Sequence, residues 1–325
     1  MGTAVLPSSS HGFENECREI HECWGRTNRL IRALANRTRV ERKQIRETYK
    51  TMYGEDLASF LFRRSNSINS GQSLAKASAA LLMWMLDSCE RDAVVAREAL
   101  KQDDIDFKAL VEIFVGRKSS HIALMKQAYQ ARFKSQLEQD IINIDPPHSF
   151  QKILVAFGAS HKAHEMDVSQ HVAKCDARRL YEVGEGSAGG IEEAVVLEIF
   201  SKRSIPQLKL TFSCYKHIYG YDYIKSFKRE NSTEFENTLK LVIKCMCNPL
   251  SYYAKELHGG IKGRGERGSS LTRVMVSRAE VDMNEIQKVF KKKYGVELRD
   301  SICESLPSGD YTDFLLALAS KTLCS

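Results

Sequence analysis

The stretch RTRVERKQIRETYKTMYGEDL, from Arg37 to Leu57, decides the fold, because its pattern occurs four times in the chain. Arg37 is followed 12 residues later by Tyr49 and 16 later by Tyr53. At the same offsets Arg117 is followed by Tyr129 and Phe133, Arg203 by Tyr215 and Tyr219, and Arg278 by Phe290 and Tyr294. Seven residues before each arginine stands an aliphatic residue (Leu30, Leu110, Val196, Leu271), and 20 after it stands Leu57, Leu137, Tyr223 or Leu298. Three of the second aromatics are followed by glycine, at Gly54, Gly220 and Gly295. The arginines lie 80, 86 and 75 residues apart. One match would mean little; this many shared offsets make four copies of a repeat of about 80 residues.

Aromatics four apart share one helix face, so Tyr49 and Tyr53 point the same way, and core packing is the plain reading of both. The helix that carries them has a start signal. Thr38-Arg39-Val40-Glu41 reads as a capping box, and Ser204-Ile205-Pro206-Gln207 repeats it with a proline in the first turn. A helix before the arginine shows its apolar side in Leu30, Ala33 and Leu34, in Leu110, Ile113 and Phe114, and in Leu271, Val274 and Met275. A further apolar segment closes each repeat: 81–86, 153–157, 239–243 and 314–318. Strand signals are sparse. The expected fold class is all-α, with three to five helices in each repeat.

Composition sets bounds. A chain of 325 residues with 43% hydrophobic content can bury a large core. No run approaches the roughly 18 apolar residues of a membrane-spanning helix, and 1–11 lacks the apolar stretch of a secretory signal. The 9 cysteines are scattered without any Cys-x-x-Cys, which reads as reduced thiols, mostly core filler. A net charge of +7 suits an anionic surface but is ordinary for a soluble protein. Gly263-x-Gly265-x-x-Gly268 matches the dinucleotide-binding pattern, yet that pattern needs a strand before it, which a helical repeat does not supply. His21, His217 and His258 have no metal-ligand spacing, and Lys291-Lys292-Lys293 reads as a solvated helix face. No catalytic residue emerges, and no nucleic-acid partner is expected.

Several phrases then resemble the annexin family: Tyr53-Gly54-Glu55-Asp56-Leu57, Met85-Leu86-Asp87, Glu90-Arg91-Asp92-Ala93, and the segment from Arg273 to Glu280. Trp24-Gly25 and Glu90-Arg91-Asp92-Ala93 are most similar to plant members. The resemblance covers the chain from about Gly12 to Lys321. It implies four repeats of about five helices in a curved, disc-like array. The expected boundaries are a tail at 1–11 and repeats at 12–96, 97–164, 165–249 and 250–325. It further implies a soluble cytoplasmic protein, not an enzyme, that attaches peripherally to anionic phospholipid through Ca2+. A monomer that can self-associate on membranes is expected, with cytoskeletal or other proteins as further partners. A histidine linked to peroxidase activity in some plant members is Asn36 here, so that activity is not carried over.

In that family a Gly-x-Gly-Thr loop follows the first helix of a repeat, and a carboxylate about 40 residues on completes a calcium site. The chemistry is consistent: Ca2+ takes about six to eight oxygens from carbonyls, carboxylates and water, and glycines let a tight loop turn its carbonyls inward. The first repeat has Cys23 and Arg26 in place of Gly and Thr, and no acid between Leu57 and Leu86. The second has Asp103-Asp104-Ile105-Asp106 where the loop should be, read as solvated charge. The third has Gly190 and, 40 residues later, Glu230. The fourth keeps Gly263-x-Gly265, with Glu304 lying 39 residues after Gly265. The resemblance therefore places metal ligands at Ile261, Gly263, Gly265 and Glu304, with Asp310 as the alternative cap, and at Gly190 and Glu230. Trp24, Ile261, Lys262, Arg264 and Arg267 are the lipid-contact candidates. The basic three would repel the ion but attract phosphate headgroups, each worth about 1 kcal/mol near an anionic leaflet. The alternative reading is a helical scaffold that has lost most calcium sites and binds protein or membrane through basic residues.

Overall fold

The computed structural model describes residues 12–22, 27–67, 72–101, 105–158, 168–184, 191–227, 233–263 and 269–321. Among them there are only helices, five to a repeat. The first repeat holds α1 (Glu14–Glu22), α2 (Thr27–Leu34), α3 (Arg39–Tyr53), α4 (Leu57–Ser67) and α5 (Gln72–Met85). The second holds α6 (Ser88–Leu100), α7 (Phe107–Gly116), α8 (Ser119–Phe133), α9 (Leu137–Ile142) and α10 (Ser149–Gly158). The third holds α11 (Gln170–Glu182), α12 (Glu193–Lys202), α13 (Ile205–Tyr219), a 3-10 turn at Tyr223–Lys225, and α14 (Glu234–Cys247). The fourth holds α15 (Pro249–Ile261), α16 (Ser269–Arg278), α17 (Met283–Tyr294), α18 (Leu298–Ser305) and α19 (Asp310–Ala319). Helix α6 runs unbroken across the boundary expected between 96 and 97.

The chain divides into two compact bodies, one of residues 1–91 with 253–325, the other of residues 92–252. In the first, α2, α5, α16 and α19 pack together; in the second, α7, α10, α12 and α14 do. These are the second and last helices of each repeat. The recurring aliphatics supply that core: Leu30, Leu110, Val196 and Leu271 are all buried, as are Leu57, Leu137, Tyr223 and Leu298.

The recurring aromatics divide their labour. Tyr49, Tyr129, Tyr215 and Phe290 are fully buried, while their partners four residues on are half-buried. Each partner ring lies against one side chain near the end of the repeat's first helix. His21 stacks on Tyr53 with centroids 4.1 Å apart, Tyr181 on Tyr219 at 4.0 Å, and His258 on Tyr294 at 3.9 Å. In the second repeat the Arg97 guanidinium lies 5.7 Å from the Phe133 ring. His21 and His258 thus occupy the same structural position in their repeats.

The repeated arginine is a clamp. Arg37 holds Glu16 through two hydrogen bonds of 3.1 and 3.0 Å, Arg117 holds Asp92 at 2.6 and 3.3 Å, and Arg203 holds Asp176 at 2.7 and 3.1 Å. Each acid lies five residues before the stacking side chain of the same helix. Paired, planar hydrogen bonds of this kind fix geometry as well as charge. In the fourth repeat Tyr253 stands at the acid's position; Arg278 lies 4.6 Å from its ring and pairs with Asp282 instead.

Helix ends follow local chemistry. Thr38 and Glu41 form the expected capping box, and Thr233 and Glu236 form another at α14. Ser204 caps α13, but Gln207 does not return the bond. Its amide instead donates to the carbonyl of Ser169 (3.0 Å) and accepts from its N–H (2.7 Å), at the start of α11. Asp106, expected as solvated charge, caps α7 by accepting from the N–H of Ala109 at 3.1 Å. Gly54, Gly220 and Gly295 end their helices in the left-handed conformation at φ 73°, 81° and 78°. Lys134 takes the same conformation at φ 56°, where a Cβ is disfavoured. Lys134→Gly is expected to stabilise the chain by about 1 kcal/mol, read as a shift of the denaturation midpoint.

The thiols correct one expectation. The cysteines among the described residues are free, and Cys17, Cys214 and Cys245 are buried, but Cys175, Cys247 and Cys303 are exposed. Core filling accounts for only part of them.

Candidate functional site

In the fourth repeat the candidate loop begins where α15 stops. Lys262 still donates its N–H to the carbonyl of His258 at 3.1 Å, closing the last helical turn. Gly263 then turns left-handed at φ 63°, with open space where a Cβ would stand. Such a turn reverses the direction of successive carbonyls, which is what a loop needs to present them to an ion.

The base of this loop is fixed by a contact that the sequence did not single out. A Cβ on Gly260 would come within 3.1 Å of Leu271 Cβ and 3.2 Å of Ser270 Oγ, so α15 and α16 approach closely there. Glycines within a helix, as at 259–260, are the signal that marks such an approach. Three residues ahead of Ile261, His258 is pinned by its stack on Tyr294.

Glu304 lies in the last turn of α18, exposed, and makes no hydrogen bond or ion pair with a described residue. Asp310 is the first residue of α19 and half-buried. Backbone carbonyls with an uncommitted carboxylate are a hard-oxygen donor set and fit calcium. No cluster of three or more His, Cys, Asp or Glu side chains suited to a metal occurs among the described residues. Ile261 departs from one expectation: its side chain is 3% exposed, so it packs inside rather than reaching a lipid interface. Only its carbonyl remains available to a site. Lys262, by contrast, is exposed.

In the third repeat, Val183 and Gly184 end the first helix, and the N–H of Glu192 returns to the carbonyl of Val183 at 3.2 Å, closing the base of the intervening loop. Gly190 and Glu230 lie outside the described residues, as do Trp24, Arg264, Gly265 and Arg267. No helix among the described residues is long and apolar enough to cross a membrane.

The acids in the phrases that carried the resemblance turn out to be partners of arginines. Asp56 and Glu90 both accept from Arg46, at 3.0 and 2.8 Å. Asp92 accepts from Arg117 and lies 2.8 Å from His121. Glu280 accepts from Arg42.

Comparison with known proteins agrees with this geometry. The family profile described as Annexin matches residues 18–63, 91–156, 176–242 and 252–318. The chain is 32% identical over 324 residues to annexin-like protein RJ4 of Fragaria ananassa, covering 99% of each. It is 35% identical over 289 residues to mouse annexin A4, covering 89% of this chain and 87% of the relative. Among solved structures, annexin III superposes with a TM-score of 0.82 at 30% identity, covering 98% of this chain and 96% of the other.

Proposed function

The chain belongs to the annexin family, known for calcium-dependent phospholipid binding, and from that premise we propose that its fourth repeat carries the principal calcium site, with a second in the third repeat. The carbonyls of Ile261, Gly263 and Gly265 and the carboxylate of Glu304 would hold the ion in the fourth repeat; Gly190 and Glu230 belong to the third. Bound calcium supplies a positive centre with open coordination for a lipid phosphate oxygen. Lys262, Arg264 and Arg267 add attraction to an anionic headgroup while opposing the ion itself. The site would then bind calcium weakly in free solution and more tightly against a membrane, where headgroups neutralise the basic side chains. Attachment is peripheral, and Trp24 is a candidate to enter the interface.

The observation that supports this most is the left-handed Gly263 two residues after α15, in a repeat whose Glu304 has no partner among the described residues. The test is sedimentation with vesicles containing phosphatidylserine, with calcium and with chelator. The expected result is binding in calcium and release by chelator. Binding that persists in chelator would replace this proposal with attachment through the basic residues alone.

A further inference from the structure

We propose that His171 and Cys175 form a separate metal site, one for a borderline-soft divalent cation such as Zn2+ or Cd2+. Both side chains stand on α11, four residues apart and exposed. The opposite side of that helix buries Ala173, Asp176, Ala177 and Leu180. Cys175 Sγ lies 3.7 Å from His171 Nε2. A tetrahedral zinc ion with Zn–N near 2.0–2.1 Å and Zn–S near 2.3 Å sets its nitrogen and sulfur ligands about 3.6 Å apart. The pair already stands at that bite distance, so the ion requires no movement of the helix backbone.

The chemistry separates this site from the calcium loops. Imidazole and thiolate select zinc-like ions, whereas calcium takes oxygen. Binding converts Cys–SH and M2+ to a metal thiolate and one released proton, with no change of oxidation state. Asp176, next in sequence, is committed to Arg203 and supplies no third ligand. Two protein ligands leave the remaining positions to water, which makes the site an exchangeable one. Lys174 and Arg178 share the exposed stripe and repel the ion. Their effect is screened by salt, so affinity rises with ionic strength, the reverse of an ion held by carboxylates.

Among the described residues the other exposed thiols are Cys247 and Cys303, which make no hydrogen bond with a described residue. The experiment therefore uses the full chain carrying Cys247→Ser and Cys303→Ser. Cadmium is titrated in excess calcium, in a perchlorate medium, and the ultraviolet cadmium–thiolate absorption is read against the same chain with Cys175→Ser added. The expected difference band saturates at one equivalent, weakens at least tenfold with His171→Gln, and half-saturates at lower cadmium when perchlorate is raised. Circular dichroism confirms that each variant is folded. Absence of the difference band, or a band indifferent to His171→Gln, overturns the proposal. The readout needs no membrane, so it stands or falls independently of the calcium sites.

Discussion

Glu280→Ala is expected to destabilise the body formed by the first and fourth repeats by about 3 kcal/mol, the cost of leaving a buried cation without its anion. The cation is Arg42, whose side chain is 5% exposed. It gives two hydrogen bonds to Glu280, at 2.9 and 2.8 Å, and a third to the carbonyl of Arg37 at 2.7 Å. Its guanidinium also lies 3.6 Å from the centre of the Trp84 ring, and Lys321 Nζ sits 4.4 Å from the same ring. Without the carboxylate, two cations share one indole, and Glu41 acts on Lys321 as the remaining counter-charge. Replacing both partners, as Arg42→Met with Glu280→Leu, should recover most of the loss, because the desolvation cost disappears with the charges.

The pH dependence carries its own sign. Burial pushes the Glu280 carboxyl up, but the hydrogen bonds and charge of Arg42, with Lys321 and Arg91, outweigh it and hold the group below the usual carboxylate range. Its contribution is therefore complete above the unfolded value of about 4.3 and disappears as pH falls through the folded value. Lys321 acts with the same sign in a higher pH window. Burial, opposed by Glu280 and aided by Arg42, lowers its amine to about 8. The unfolded chain then holds more protons than the native one between about pH 8 and 10, so stability rises across that window. Urea unfolding followed by tryptophan fluorescence at several pH values measures both windows.

Much of this architecture could be read in the chain because burial at fixed helical offsets leaves a fixed sequence spacing. Leu30, Tyr49 and Leu57, with their counterparts, are such positions, and every one is buried. The partners of the repeated arginines were not legible. Glu16, Asp92 and Asp176 lie 21, 25 and 27 residues ahead of their arginines, because the loop between the first two helices varies in length. A search anchored on the arginine cannot find them; anchored on the stacking residue, the spacing is a constant five. Gln207 shows a second limit. Its place three residues after Ser204 suggests a local cap, while the folded chain offers it a better partner in Ser169. The candidate site is less legible for a different reason: carbonyl ligands carry no side-chain signature, so only glycines and a distant acid remain to be read. The same economy explains why Ile261 could be misjudged, since its carbonyl and its side chain face different demands.

Glu304→Ala is expected to raise the calcium needed for half-maximal vesicle binding by roughly ten- to a hundredfold, as loss of the one charged ligand should. The same change should leave the calcium-free protein as stable as before, or slightly more so. Glu304 stands in the last turn of α18, where the carbonyl end of the helix disfavours negative charge by about 0.3–1 kcal/mol, and it has no described partner to compensate. A carboxylate with no partner among the described residues is free to serve a ligand. Asp310 gives the contrast. It opens α19, where free N–H groups favour its charge, so Asp310→Asn should cost stability and leave the calcium requirement within about twofold. Vesicle sedimentation over a calcium series, paired with urea unfolding in chelator, separates the two. If Asp310→Asn instead shifts the calcium curve and Glu304→Ala does not, the cap of the fourth repeat is Asp310, and the spacing from Gly265 has misled.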